Sequence, residues 1–447
     1  MVLYLLISAA AVAAAAIVNK TEGMQAGSRG SLLRRSCLFL IALILMVPAI
    51  LRQETGNDYL RYVEFFHLAS IDAYVPTEAG FNWLAKAVYG LCGYENYLLL
   101  FAIYAVMTIL VMLTVIRQQA ENFCFSFFLF MMFGYYFQSF NTMRYYFALS
   151  LSLLAMTCLL RRKYAGFVIL VLLAALFHKT ALITLLLYPV AARRWKKREL
   201  AAGVALGLAV LLLHEKAMEL LLSLYPSWEG TVDLAAGTSI SWVNIAKCLA
   251  VLLLAYYVRA DEDPETFRGR QLVMYRNSAY IGLLLYVFGW FIPEVSRICY
   301  YLTFTQIFYL PMLLSGLPET EQGRRQKKLL TILVIAAALV FFALFLRTAY
   351  RDTIKILPSY NPGFRLQKTI GSILGQTFSD YEVIVKDAGS SDGSLDGLSA
   401  DGRIRLIRQK DSGIYDGMNQ AVAAARGEYL YFLNCGDVLF SPDVLEK

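Results

Sequence analysis

The sequence predicts a polytopic α-helical membrane protein of about twelve transmembrane helices, followed by a C-terminal partial α/β segment of Rossmann-like character. Three observations lead there. Of 447 residues, 58% are hydrophobic and 17% charged, with a mean hydropathy of +0.54, an apolar excess beyond what a soluble core buries. That excess is gathered into runs near the roughly 20 residues a spanning helix needs. From about Thr353 the long runs stop, and short apolar stretches alternate with polar motifs.

Taken in order, the expected spans are 2–18, 33–51, 97–116, 123–140, 143–160, 164–177, 179–192, 200–222, 241–258, 274–292, 297–316 and 329–347. The first has the small residues of a leader but no basic start, and reads as an anchor helix. A formal charge of +8 does not point to nucleic acid. The basic residues sit in short clusters between apolar runs, at Arg161–Lys163, Arg193–Arg198 and Arg324–Lys328, as cytoplasmic loops do. Between the first two of these, about thirty residues must cross an even number of times, so the chain is expected to reverse near Phe177–Thr180 and expose a hairpin tip outside. The same logic puts 52–96, 139–144, 225–240 and 293–296 outside. The seven cysteines show no CxxC pair and read as small core residues rather than disulfide or metal ligands.

The outer positions hold the informative residues. Gly56–Tyr59 with Tyr62, Glu78–Leu84, Met143-Arg144 with Ala148, Phe177–Leu182 and Arg297–Tyr301 occur in this order. Together they resemble the EpsG family of exopolysaccharide proteins, relatives of Wzy-type polymerases, over residues 1–350. The resemblance implies a bacterial plasma-membrane, multi-pass protein. It would assemble polysaccharide on the outer face from polyprenyl-pyrophosphate-linked oligosaccharide, beside membrane lipid and other polysaccharide-assembly proteins, with no cofactor in this part. The residues agree with that chemistry. A pyrophosphate site wants arginines at the membrane boundary, where a planar guanidinium makes bidentate contacts, and Arg144 and Arg297 fall at predicted outer helix ends. His178 and Asp58 supply acid–base or orienting groups. The plainer readings stand beside these: an arginine that snorkels to the interface, a hairpin histidine that only hydrogen-bonds, and solvated charge for Asp58 and Glu78.

Residues 353–447 alternate as strand 353–357, helix 364–375, strand 381–386, strand 403–408, helix 415–425 and strand 428–433. Their polar motifs fall at strand ends, where open α/β sheets bind ligands. Pro358–Gly363, Ser372–Thr377, Asp387–Asp392, Asp411–Asn419 and Leu433–Asp437 resemble the N-terminal half of a family 2 inverting glycosyltransferase with the GT-A fold. The resemblance implies a UDP-sugar site in which Pro358 and Tyr360 flank the base and Asp387 bonds it. Asp392, Asp411 and Asn419 complete the nucleotide-sugar contacts, and Asp437 ligates Mg²⁺ or Mn²⁺. Asn434 and Gly436 stand where that pattern often has carboxylates. The family's acceptor half would follow Asp437, so this segment is expected to be a truncated domain that binds without turning over. Two other readings of the whole chain stay open: a bifunctional glycosyltransferase using UDP-sugar, and a lipid-linked glycan transporter without chemistry.

Overall fold

The computed structural model describes residues 2–446 except 23, 25–28, 53–57, 217, 220–239, 261, 293–294, 350–363, 391–394, 396–397, 399–400, 412–413, 434 and 436. The chain divides into two compact units, Met1–Ile356 and Leu357–Lys447.

The first unit is helical. Helices α1 (Val2–Lys20) and α2 (Arg29–Ile50) pair, and α5 (Tyr97–Gln119) and α8 (Met143–Leu160) follow as further long apolar rods. Among the described residues six segments are long and apolar enough to cross a membrane: these four, Val295–Ser315 and Glu321–Arg347. Twelve spans are therefore not confirmed, and local chemistry accounts for several of the differences. The expected span 123–140 breaks into α6 (Phe123–Met132) and α7 (Tyr135–Gln138), because Gly134 sits at φ +73°, where the left-handed region stops a helix. The hairpin arms are short: α9 (Tyr164–Ala175), then a 3-10 turn (Lys179–Ile183) running into α10 (Thr184–Ala191). Helix α11 (Lys197–Leu212) covers part of the expected 200–222, much of the remainder lying outside the described residues. Helix α12 (Trp242–Val258) is 17 residues long. Helix α13 (Phe267–Phe288) carries Arg268, Arg270 and Arg276 in its first half. The expected span 297–316 unwinds at Phe304-Thr305 between α14 (Val295–Thr303) and α15 (Gln306–Ser315), and α16 (Glu321–Ala349) closes the unit.

Helix α8 is buried on nearly every face, as expected of a helix that is largely apolar all round at the centre of a bundle. Its 18 residues rise about 27 Å and separate two chemically different ends. At its C-terminal end, Arg270 Nε donates to the Leu160 carbonyl at 2.8 Å, and Arg162 pairs with Glu265. Asn277 Nδ2 donates to the carbonyls of Ala191 and Arg193 at 2.9 and 2.7 Å. The basic clusters at 161–163 and 193–194 thus share one end of the bundle, and the chain between them turns back at His178. The segment 52–96, expected as a loop, folds into α3 (Tyr59–Ser70) and α4 (Ala79–Cys92). Tyr62, Phe66 and Ala69 of α3 and Phe81, Ala85 and Val88 of α4 face inward at helical spacing.

The second unit is a parallel pair, β1 (Val383–Asp387) and β2 (Ile404–Arg408), in register from Val383 opposite Ile404 to Asp387 opposite Arg408. Helix α17 (Phe364–Leu374) precedes it and α18 (Ile414–Ala424) follows. Leu366, Ile370, Val383, Leu395 and Leu398 form its core. The strand expected at 353–357 lies outside the described residues. The one expected at 428–433 is irregular, with Tyr429, Tyr431 and Phe432 exposed; among the described residues no strand lies beside it to supply a ladder. The segment after it is pinned to the end of α17, the Thr377 amide donating to the Pro442 carbonyl at 2.7 Å and Gln376 Nε2 to the Ser441 carbonyl at 2.8 Å.

One close approach sets the seat of α4. The Gly80 amide donates to the Leu176 carbonyl at 2.8 Å, and a Cβ at Gly80 would lie 2.7 Å from that oxygen. Gly80→Ala is expected to lower stability by about 1–3 kcal/mol, whereas Gly90→Ala on the same helix, with nothing within 4 Å, leaves it unchanged or raises it by about 0.5–1 kcal/mol. Thermal melts of the two solubilised variants decide: equal midpoints would mean that α4 does not seat on the hairpin through this contact.

Candidate functional site

The end of α8 away from the basic clusters gathers most of the sequence-predicted residues of the helical unit. Arg144, on the first turn of α8, forms an ion pair with Glu78, the residue before α4. The two side chains are only 15% and 17% exposed, so this is a partly desolvated pair, which needs its hydrogen bonds satisfied to be tolerated. The second Glu78 oxygen accepts the Lys179 amide at 3.1 Å, tying the carboxylate to the hairpin tip. The Arg144 guanidinium lies over the rings of Tyr62 and Phe81, at 5.6 and 5.7 Å, an arrangement that adds cation–π attraction. Its Nε is buried without an acceptor.

His178 stands between the hairpin arms in extended backbone. Its Nδ1 is 2.7 Å from Thr180 Oγ1, which is 3.1 Å from the Tyr301 hydroxyl. The Tyr145 ring meets His178 edge-on at 5.4 Å and Tyr301 at 5.6 Å. Burial first, then the charges of Arg144, Arg297 and Lys179, hold the imidazole well below the ordinary histidine range. It is therefore neutral near pH 7, a hydrogen-bonding group of weak basicity. Arg297 joins the site through α14: the Tyr145 hydroxyl donates to the Arg297 carbonyl at 2.6 Å, and Tyr188 donates to the Tyr301 carbonyl at 2.9 Å. Helices α8, α10 and α14 and the 3-10 turn are thus cross-linked around one point.

Asp58 is placed differently from the other three. It precedes α3 without capping it through its side chain, and its carboxylate forms no hydrogen bond with Arg144, His178 or Arg297. Its link is through the backbone, where the Tyr62 amide donates to the Asp58 carbonyl at 3.0 Å, one turn below the ring that carries Arg144. Glu78, read from sequence as solvated charge, is instead the counter-ion of the site. Tyr145, Thr180 and Tyr301 were also missed as participants, although Thr180 and Tyr301 lie inside the motifs that flagged His178 and Arg297. Of the cysteines, Cys37, Cys248 and Cys299 are buried as small core residues are, Cys92, Cys124 and Cys158 are half-buried, and Cys435 is exposed.

In the second unit, Asp387 ends β1 and Asp411 follows β2, the carboxyl edge expected to hold ligands. Asp387 is buried, and its carboxylate accepts the amides of Gly389 and Ser390 at 3.1 Å each, an Asx turn. Asp411 pairs with Lys386 at 2.8 Å, both side chains mostly buried. Asn419 is exposed on α18. Asp437 is exposed too, and its carbonyl accepts Thr369 Oγ1 at 2.8 Å. Pro358, Tyr360 and Asp392 lie outside the described residues. Among the described residues no group of three His, Cys, Asp or Glu could hold a metal ion, so they do not by themselves fit the Mg²⁺ or Mn²⁺ expected at Asp437.

Comparison with known proteins divides the chain in a similar place. Residues 356–447 match the glycosyl transferase family 2. The same end is similar to the PGL/p-HBAD biosynthesis glycosyltransferase of Mycobacterium bovis, at 35% identity over 97 residues, 21% of this chain and 38% of that one. It is also similar to the uncharacterized glycosyltransferase EpsJ of Bacillus subtilis, at 37% over 90 residues, 19% and 26%, and to a chondroitin synthase of Escherichia coli, at 30% over 139 residues, 29% and 20%. The matches thus span well under half of these relatives. No solved structure matches. The helical unit, which carries the Glu78–Arg144 site, matches the EpsG family over residues 35–359, and the chain belongs to that family.

Proposed function

We propose that this chain polymerises polyprenyl-pyrophosphate-linked sugar units at the outer face of the bacterial inner membrane, with residues 1–350 as the membrane domain and 353–447 as an appended glycosyltransferase domain. The observation that carries it is the Arg144–Glu78 pair, held next to His178 and the Arg297 helix at the end of α8 opposite the basic clusters. With those clusters in the cytoplasm, the site lies at the outer boundary. The finer topology of about twelve crossings belongs to this reading, with the short helices α6, α9, α10 and α12, and α11 and α13, counted as crossings or parts of them. Other polysaccharide-assembly proteins would deliver the lipid-linked units.

In the reaction an acceptor hydroxyl attacks the anomeric carbon, the new C–O bond forms, and the bond to the lipid diphosphate breaks with its electrons staying on phosphate. Arg144 and Arg297 neutralise the charge that develops there. A diphosphate that takes Arg144 releases Glu78, and the freed carboxylate is the group best able to receive the hydroxyl proton, since His178 is too weakly basic. His178 then orients the hydroxyl, with Thr180 and Tyr301 holding its ring. The site also argues against a transporter, because its ionisable groups gather at one boundary rather than at mid-membrane.

For the second unit, Asp387 and Asp411 at the carboxyl edge favour a UDP-sugar site. If Mg²⁺ or Mn²⁺ enters, Asp437 would hold it with ligands other than the described carboxylates.

Three outcomes are expected. Arg144→Ala and Arg297→Ala should each abolish polymer in cells at normal protein level, with Lys rescuing poorly because an ammonium lacks the planar fork; wild-type polymer in both would refute the proposed diphosphate clamp. Glu78→Gln should remove the counter-charge of Arg144, costing on the order of 2 kcal/mol in a thermal melt and at least tenfold in polymer yield. A variant that melts lower yet polymerises normally would leave Glu78 a purely structural partner. In the second unit Asp387→Ala should abolish UDP binding measured by calorimetry, by unravelling the turn at Gly389-Ser390; unchanged affinity would remove Asp387 from the site.

A further inference from the structure

Beneath the Arg144 site lies a second guanidinium that no sequence motif marked. Arg52 follows α2 and is 4% exposed. Its Nη1 donates to the Phe140 carbonyl at 2.8 Å, and its Nη2 reaches Met143 Sδ at 3.5 Å. The Cζ lies 5.1 Å from the Phe101 ring centroid and 5.4 Å from that of Phe140. Its Nε is buried with no acceptor, and no carboxylate among the described residues comes within ion-pair distance. A buried cation without a counter-ion is costly until hydrogen bonds or a bound anion compensate its charge.

Arg52 and Arg144 are joined through aromatic rings. Tyr62 lies beneath Arg144 at 5.6 Å, and its ring is 6.4 Å from Phe101, over which Arg52 sits. Arg52 also holds the entry to α8, through Phe140 before the helix and Met143 at its first position, and so the approach to Arg144 itself. Both guanidinium groups leave a buried Nε unanswered, and among the described residues Glu78 is the single carboxylate that pairs with either. The described cluster of Arg52, Arg144 and Glu78 therefore carries one positive charge more than negative.

We propose that Arg52 is the second cation of an anion site, a positioning residue whose uncompensated charge is completed when a diphosphate engages Arg144. This rests on the reading of the helical unit as one that handles lipid-linked diphosphate. The shared chemistry is the diphosphate, whether free or borne by a lipid.

Two substitutions separate charge from bridging. Arg52→Lys keeps the charge but cannot span the Phe140 carbonyl and the Met143 sulfur together. Arg52→Gln can keep a hydrogen bond to that carbonyl but loses the charge. Full-length protein in lipid nanodiscs would be titrated calorimetrically with inorganic pyrophosphate in one arm and farnesyl diphosphate in the other, with a thermal melt of each variant alongside. The expected result is that Arg52→Lys binds within about threefold of wild type and Arg52→Gln roughly tenfold or more weaker, the loss expected for one partly screened charge. Tighter binding of farnesyl diphosphate assigns the site to a lipid headgroup; equal binding keeps the Arg52 assignment and gives the site to the diphosphate alone.

Undiminished affinity in Arg52→Gln would overturn the proposal while leaving the parent reading intact. So would loss of affinity in Arg52→Lys with an unchanged melt, since bridging geometry would then be what matters. If Arg52→Gln fails to fold, Arg52→Lys decides alone: retained affinity supports the charge role and lost affinity refutes it. Wild-type protein that binds neither probe would overturn both this inference and the diphosphate reading beneath it.

Discussion

The helical unit depends on the ion pair between Glu78 and Arg144. Two side chains that are mostly out of solvent cannot keep their charges apart, because desolvation without a partner costs several kcal/mol, so the pair determines where two distant stretches of chain must meet. Glu78 comes from the segment between α3 and α4, and Arg144 from the first turn of α8. The Lys179 amide on the other carboxylate oxygen brings in the hairpin, and Gly80, two residues along, has no side chain to keep α4 off the Leu176 carbonyl. A polar pair at one point thus aligns three elements that apolar packing alone would let slide, since apolar packing in lipid specifies contact without register.

That alignment gives the site its asymmetry. Helix α8 runs from a cluster of ionisable and phenolic groups to a cluster of basic groups tied to carbonyls by Arg270 and Asn277. The breaks at Gly134 and at Phe304-Thr305 lie against each other, Tyr135 meeting Phe304 at 4.5 Å. Aromatic packing there fills the space that two unwound helices leave. The phenols nearer the site are turned to a different use: Tyr145 and Tyr188 donate to carbonyls of α14, which settles donors of that region and positions Arg297 by its backbone.

Much of this was legible in the sequence, for identifiable reasons. Apolar runs announce helices, and basic clusters announce which loops share a side, so the reversal at His178 followed from counting alone. Arg144, His178 and Arg297 were marked by the motifs that carry the family resemblance, and their place at the edges of apolar runs agreed with it. Glu78 was misread for the opposite reason. It lies in a stretch already rich in charge, where nothing local distinguishes a buried carboxylate from a solvated one, and only its meeting with Arg144, 66 residues on, decides the matter. Arg52 was missed because it borders the end of an ordinary span, where an arginine is normally a snorkelling anchor. The expected span 123–140 divides because its helix is interrupted rather than ended, and Gly134 leaves mean hydropathy untouched. In the second unit the paired strands were legible, whereas 428–433 is irregular, and none of the described strands pairs with it.

The functions proposed for the two units pose a related electrostatic problem. A diphosphate is strongly anionic, and a site for it must supply positive charge. In the reading proposed for the helical unit, arginines held by rings and carbonyls do so, and a guanidinium keeps its charge through burial that would neutralise a histidine. In the second unit the described carboxyl edge offers Asp387 and Asp411, with Lys386 already engaged by Asp411. Arg408 and Lys410 stand at the same edge, so it is not net acidic, and the carboxylates there matter as hard oxygen ligands, one or two of which suffice for a divalent ion that also takes diphosphate oxygens. In the reading proposed for the helical unit, Arg52 and Arg144 outnumber Glu78, and the protein's own cations would do the neutralising.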